Sequence, residues 1–122
     1  MNTYTFGFEK LSVWQKSRIY AAGIYKVTQD FPKSEMYGLT SQLRRSAISV
    51  SSNLAEGTAR KTSKDQAHFT TVAYSSLMES VNQLILSFDL EYLDNATYQN
   101  LRAQAVEISR MLTALKKAQI RS

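Results

Sequence analysis

Residues Leu39 to Gly57 read LTSQLRRSAISVSSNLAEG, and wound as an α-helix this stretch carries two separate stripes. Leu39, Leu43, Ala47, Val50 and Leu54 follow steps of four, four, three and four, which holds them on one side at 3.6 residues per turn. That side is the expected core. Gln42, Arg45, Ser49, Asn53 and Glu56 follow three, four, four and three, and Arg60 continues the line. This polar stripe runs about a third of a turn away from the apolar one. It supplies hydrogen bonds and charge, without a nucleophile beside a base, a metal cluster or a phosphate loop.

Outward from this helix the chain reads as three more. Before it, FPKSEMYG (Phe31 to Gly38) holds the only Pro and a Gly, the punctuation of a link. Pro32 disfavours helical geometry at Phe31, so the preceding helix is expected over residues 12–31, with Ser12 and Gln15 at capping-box spacing. Its apolar arc is wide. Leu11, Trp14, Ala21, Tyr25 and Thr28 make one stripe; Val13, Tyr20, Ile24, Val27 and Phe31 make a second. One stripe suffices for a bundle core, so Tyr20, Ile24, Val27 and Phe31 are candidates for an oligomer interface. The competing expectation is that the N-terminal arm or the next loop covers them.

That arm, residues 1–10, carries Tyr4, Phe6 and Phe8 at alternate positions, and no second strand-like run exists to pair with it. It is expected to lie extended on apolar surface of this or a neighbouring subunit. Helix two is expected over 39–59. After the polar joint TARKT (Thr58 to Thr62), Ser63 and Gln66 match capping-box spacing and open a helix over about 64–92. Its inward face, Phe69, Ala73, Ser76, Leu77, Ser80, Leu84 and Phe88, has small residues in the middle that would let a neighbour approach closely. Asp94 and Asn95 lead into a last helix over 95–119, where Leu101, Ala105, Ile108, Leu112 and Leu115 form a seam of alternating four and three. Lys116, Lys117 and Arg121 suit its negative pole. Four such helices joined by short links give an all-α, antiparallel, up-down-up-down four-helix bundle with a short N-terminal arm, in one domain of 122 residues.

Composition narrows the partners. The net charge is +5, distributed as +2 over residues 1–35, +3 over 36–63, −4 over 64–94 and +4 over 95–122. Basic surface admits a polyanion, while an acidic segment lying against basic neighbours would explain the same pattern. No apolar run reaches the roughly 18 residues of a membrane span and the start has no signal-like region, so no membrane association and a cytoplasmic location are expected. The absence of Cys excludes disulfides and thiolate chemistry.

Metal and catalysis fare poorly. A carboxylate-bridged metal pair in a bundle needs about four inward carboxylates and two His, whereas His68 is the only His, so no metal or cofactor is expected. One imidazole early on a helix cannot assemble a Ser-His-acid set, and the protein is expected not to be an enzyme. The polar stripe of Gln42, Arg45, Ser49, Asn53 and Glu56 reads as structural, with Arg45 able to pair with Glu79, or as a subunit contact. Arg44, Arg60, Lys61 and Lys64 are the RNA-binding candidates, because their positions look solvent-facing or lie in the joint.

The segments LSVWQKS, FPKSEMYGLTSQLRRSAISVSSNLAEG, HFTTVAYSSLMES and FDLEYL resemble, in order and spacing, the bacterial four-helix-bundle family named for proteins encoded in intervening sequences of 23S ribosomal RNA genes. The elements that carry the resemblance are Trp14, the link residues Phe31, Pro32, Glu35, Gly38 and Leu39, then Gln42 with Arg45, and Asn53 with Glu56 and Gly57. The family is similar to the accessory protein of diversity-generating retroelements. The resemblance implies an all-α bundle, a homopentameric ring and a non-catalytic association with RNA or a ribonucleoprotein. The alternative expectation is an oligomeric protein-interaction scaffold with no nucleic-acid role.

Overall fold

The computed structural model describes residues 3–121, and its element order is α1 (Ser12–Thr28), α2 (Leu39–Thr58), α3 (Ser63–Asp89) and α4 (Asn95–Arg121), with single 3-10 turns at Gly7–Lys10 and Lys33–Glu35. The helices alternate in direction. Ser46 meets Gln83 and Ser49 meets Ser76, so α2 and α3 run opposite ways. Thr70 meets Gln119 while Phe88 stacks on Tyr98, which sets α4 antiparallel to α3. Lys16 pairs with Glu107, and Gly23 lies beside Leu101, closing α4 back onto α1. The result is the expected bundle, with its core at Tyr20, Ile24, Leu43, Leu77, Leu84, Ile108 and Leu112, all essentially sealed from solvent.

The second stripe of α1 is therefore corrected. Tyr20 and Ile24 are fully buried and Phe31 nearly so, with Val27 packed against the same cluster. Their cover is α2, α3 and α4 of the same chain. An α1 lodged between two neighbours needs an apolar arc wide enough for both; Tyr20, Ile24 and Phe31 are not open to a second subunit, and Val27 is half-buried. What α1 leaves outside is Ile19 and, on the former first stripe, Tyr25.

Helix ends differ from the sequence expectation for local reasons. Helix α1 stops at Thr28, three residues early, where the Thr28 hydroxyl donates to the Ile24 carbonyl at 2.7 Å and accepts from Arg44. The chain then turns so that Phe31 enters the core, its ring 5.3 Å from that of Tyr92. Helix α3 stops at Asp89 because Glu91 takes a left-handed φ of 64°. Its N–H bonds the Phe88 carbonyl and that of Tyr92 bonds the Ser87 carbonyl, the paired bonds of a Schellman end. The cap of α3 is Thr62, whose hydroxyl accepts from the Asp65 N–H at 3.1 Å, one residue before the expected Ser63. Leu11, not Ser12, stands at the N-cap of α1, without a side-chain bond. Asp94 caps α4 by accepting from the Thr97 N–H at 2.7 Å, and these Thr97 bonds hold its carboxyl below the usual carboxylate range.

The arm lies on the protomer only in part, and Gly7–Lys10 form a 3-10 turn instead of extended chain. Phe8 packs edge-on against Trp14 at 4.9 Å, but Tyr4 and Phe6 remain 77% and 58% exposed, touching each other more than the bundle. Residues 1 and 2 of the expected arm lie outside the described residues.

Candidate nucleic-acid interface

The polar stripe of α2 divides into a structural middle and solvent-facing ends. Ser49 and Ser76 share a hydroxyl hydrogen bond of 2.8 Å between α2 and α3, and Asn53 donates to the Ser49 carbonyl and hydroxyl. One turn further, Ser46 donates to Gln83, which is buried. Short hydroxyl side chains satisfy one another here and let the two backbones approach. The small-residue face of α3 thus meets α2. Gln42, Arg45 and Glu56 are exposed. Arg45, Gln42 and Glu79 line a small cavity, yet no ion pair joins Arg45 to Glu79 among the described residues, so the expected buried pair is absent there.

Arg44 departs from its expected role. It is half-buried, its Nε donates to the Thr28 hydroxyl at 2.8 Å, and its guanidinium lies 4.6 Å from the Tyr25 ring centroid. Those contacts tie α2 onto the end of α1, which gives Arg44 a positioning role in the fold and sets it apart from the exposed cations of the joint. The Arg60 guanidinium lies 4.6 Å from the Phe69 centroid, a cation–π contact with α3, while the residue remains exposed. Lys61 and Lys64 are exposed in the joint and in the first turn of α3.

Antiparallel topology adds three cations to this set. The C-terminal turns of α4 lie beside the N-terminal turns of α3, as the 2.7 Å contact between the Thr70 hydroxyl and Gln119 Oε1 shows. Lys116, Lys117 and Arg121 therefore share the end of the bundle with Arg60, Lys61 and Lys64. The same end also carries Glu56 and Asp65, while the opposite end holds Asp30, Glu35, Asp89, Glu91 and Asp94 together with Lys33 at the α1–α2 and α3–α4 links. The sequence signal for the missed cations was the +4 of the last segment; what it lacked was the neighbour. Like charges gathered at one pole create a field that attracts anions without reading their sequence.

Among the described residues no three His, Cys, Asp or Glu side chains gather where they could hold a metal ion, and His68 is exposed, edge-on to Phe69 at 5.7 Å. No described helix is long and apolar enough to cross a membrane.

Residues 9–114 match the family described as 23S rRNA-intervening sequence protein. The chain belongs to this family. A solved structure from Bacteroides thetaiotaomicron, a protein of unknown function from the S23 ribosomal protein family, superposes with a TM-score of 0.78 at 23% identity, covering 86% of this chain and 98% of that one. That likeness establishes the shared fold of the intervening-sequence family member and its neighbour. No curated protein matches the chain.

Proposed function

We propose that this intervening-sequence family member is a non-enzymatic, cytoplasmic, homo-oligomeric bundle that binds structured RNA, or a ribonucleoprotein, through phosphate contacts at its basic end. The observation that carries the reading is the gathering of Lys61, Lys64, Lys116, Lys117 and Arg121, with Arg60, at one pole of the bundle, where they outnumber Glu56 and Asp65. Ammonium and guanidinium groups on helix ends neutralise phosphates and release counterions, which gives affinity without base readout. Repetition of this pole around an oligomer would multiply the contacts, and a ring of five is what the family resemblance implies.

The test is retention of a folded RNA transcript over a salt series. Binding should weaken steeply as salt rises, and the combined Lys61→Glu, Lys64→Glu and Lys117→Glu variant, altered only at exposed positions, should lose it while keeping its helicity. Retention insensitive to salt, or unchanged in that variant, would sink the phosphate reading. Clean oligomers with no affinity for RNA would favour a protein scaffold.

A further inference from the structure

At the same basic pole, α3 and α4 leave a groove of about 330 Å³ between them. Its wall is mostly apolar, with cations beside it. Leu112 is buried and supplies an apolar base, Tyr74 presents an aromatic ring that is 38% exposed, Ile120 adds an exposed apolar side chain, and Lys116 and Lys117 stand among the lining residues. Thr71, Ser75 and Thr113 add hydroxyls. Thr71 and Thr113 donate to the Ala67 and Ser109 carbonyls of their own helices, which leaves oxygen lone pairs available as acceptors. The Ser75 hydroxyl makes no hydrogen bond among the described residues.

We infer that this groove receives the base of one unpaired nucleotide extruded from a structured RNA, its ring against Tyr74 and its flanking phosphates against Lys116 and Lys117. The inference rests on the RNA reading above and sharpens it from phosphate contact to a preference for RNA with a bulged or looped-out base. The volume lies at the small end of ligand-sized pockets, which run from about 300 to 1,000 Å³. Sequence-tolerant RNA recognition commonly stacks an unpaired base on an aromatic face and hydrogen-bonds its polar edge, with cations tracking the backbone. A purely apolar ligand would fit Tyr74, Leu112 and Ile120 but make no use of the Lys116 and Lys117 ammonium groups beside them. Along α3, Lys64, His68, Thr71 and Ser75 follow steps of four, three and four, which puts Lys64 on the helix face that carries the Thr71 and Ser75 wall of the groove.

The test compares two RNA hairpins, each closed by the same tetraloop whose bases stay stacked, that differ in the stem by one bulged uridine, bound to the full-length protein. The bulged hairpin should bind about tenfold tighter, within what one base–aromatic stack supplies. Tyr74→Ala should reduce that preference to within about twofold while leaving affinity for the fully paired hairpin unchanged. Thr113→Phe, which fills the groove from an exposed position, should do the same with native helicity. Equal salt-sensitive binding of both hairpins by the unaltered protein would overturn the groove inference alone, as would a preference that survives both variants. Failure to bind either hairpin would overturn the groove together with the phosphate reading beneath it.

Discussion

Tyr20 Oη lies 2.8 Å from Ser80 Oγ with both residues fully buried, so a hydroxyl pair crosses the middle of the bundle from α1 to α3. Ser80 also donates to the Leu77 carbonyl at 2.7 Å, which leaves the phenol as the donor to Ser80. Removing either partner has a different consequence. Tyr20→Phe loses one accepted bond at Ser80, an effect of about 0.5 to 1.5 kcal/mol. Ser80→Ala strands a phenol O–H in the core, at about 1 to 3 kcal/mol, partly offset by the better helix propensity of Ala. In a double-mutant cycle by urea unfolding the propensity term cancels, and Ser80→Ala should cost about 1 kcal/mol less in the Tyr20→Phe background. Strict additivity would show that the bond contributes nothing.

The same burial makes stability fall in alkali. Loss of hydration pushes the Tyr20 phenol from 10.0 up to about 12, and Ser80, whose hydroxyl can turn from the Leu77 carbonyl to donate to a phenolate, opposes the shift only in part. Between those values the unfolded chain has released a proton that the folded chain still holds. The contribution is therefore complete below pH 10 and disappears as pH rises to about 12, a loss of about 2 to 3 kcal/mol. Tyr20→Phe has no phenol there to ionise. Its unfolding free energy should decline less steeply than that of the unaltered protein over the same interval, and parallel decline would remove the assignment.

Periodic features of the chain were legible and directional ones were not. The stripes Leu39 to Leu54 and Leu101 to Leu112 name their helices because apolar spacing is a property of the local sequence. The wide arc of α1 is equally visible, but its width does not say whether two helices or a second subunit cover it; Tyr20 reaching Ser80 settles that in favour of the chain's own core. Arg44 has the spacing of an exposed residue and is claimed by Thr28, whose position depends on where α1 stops. Likewise Lys116 and Lys117 are explicable as dipole partners until the antiparallel return of α4 sets them beside Thr71 and Tyr74 of α3. Charge was readable from sequence, whereas its convergence at one pole required topology. The groove lined by Tyr74, Thr113 and Lys117 combines residues about 40 positions apart along two helices, and no local pattern reports it.

Two glycines should respond in opposite directions to one methyl group. A Cβ on Gly57 would come within 2.9 Å of the Phe69 Cβ, an atom too near the backbone to swing aside. Relieving that overlap means pushing α2 from α3, at about 1 to 3 kcal/mol, against a helix-propensity gain of about 1. Gly57→Ala should therefore destabilise. On Gly23 the added carbon would meet the Leu101 Cδ2 at 3.5 Å, ordinary contact, and Gly23→Ala should stabilise α1 by about 0.5 to 1 kcal/mol. Thermal unfolding of the two variants reads both signs at once, and a stabilising Gly57→Ala would mean that α2 and α3 are not so closely fitted.

Self-association through α1 must be tested at a residue the protomer does not already use. Ile24 is fully buried, so Ile24→Asp places an unpaired carboxylate among Tyr20 and its core neighbours and should unfold the chain, with loss of more than about 4 kcal/mol. Any drop in oligomer mass it produced would report the lost fold instead of a lost seam. Ile19 is 60% exposed on the same helix, one residue around from Tyr20. If a neighbouring protomer seats on this face, burial of a new carboxylate at the contact would oppose assembly without touching the core. Ile19→Asp should then lower the mass in light scattering to that of one chain while the helical circular dichroism is kept. An unchanged oligomer would move the seam away from this face of α1.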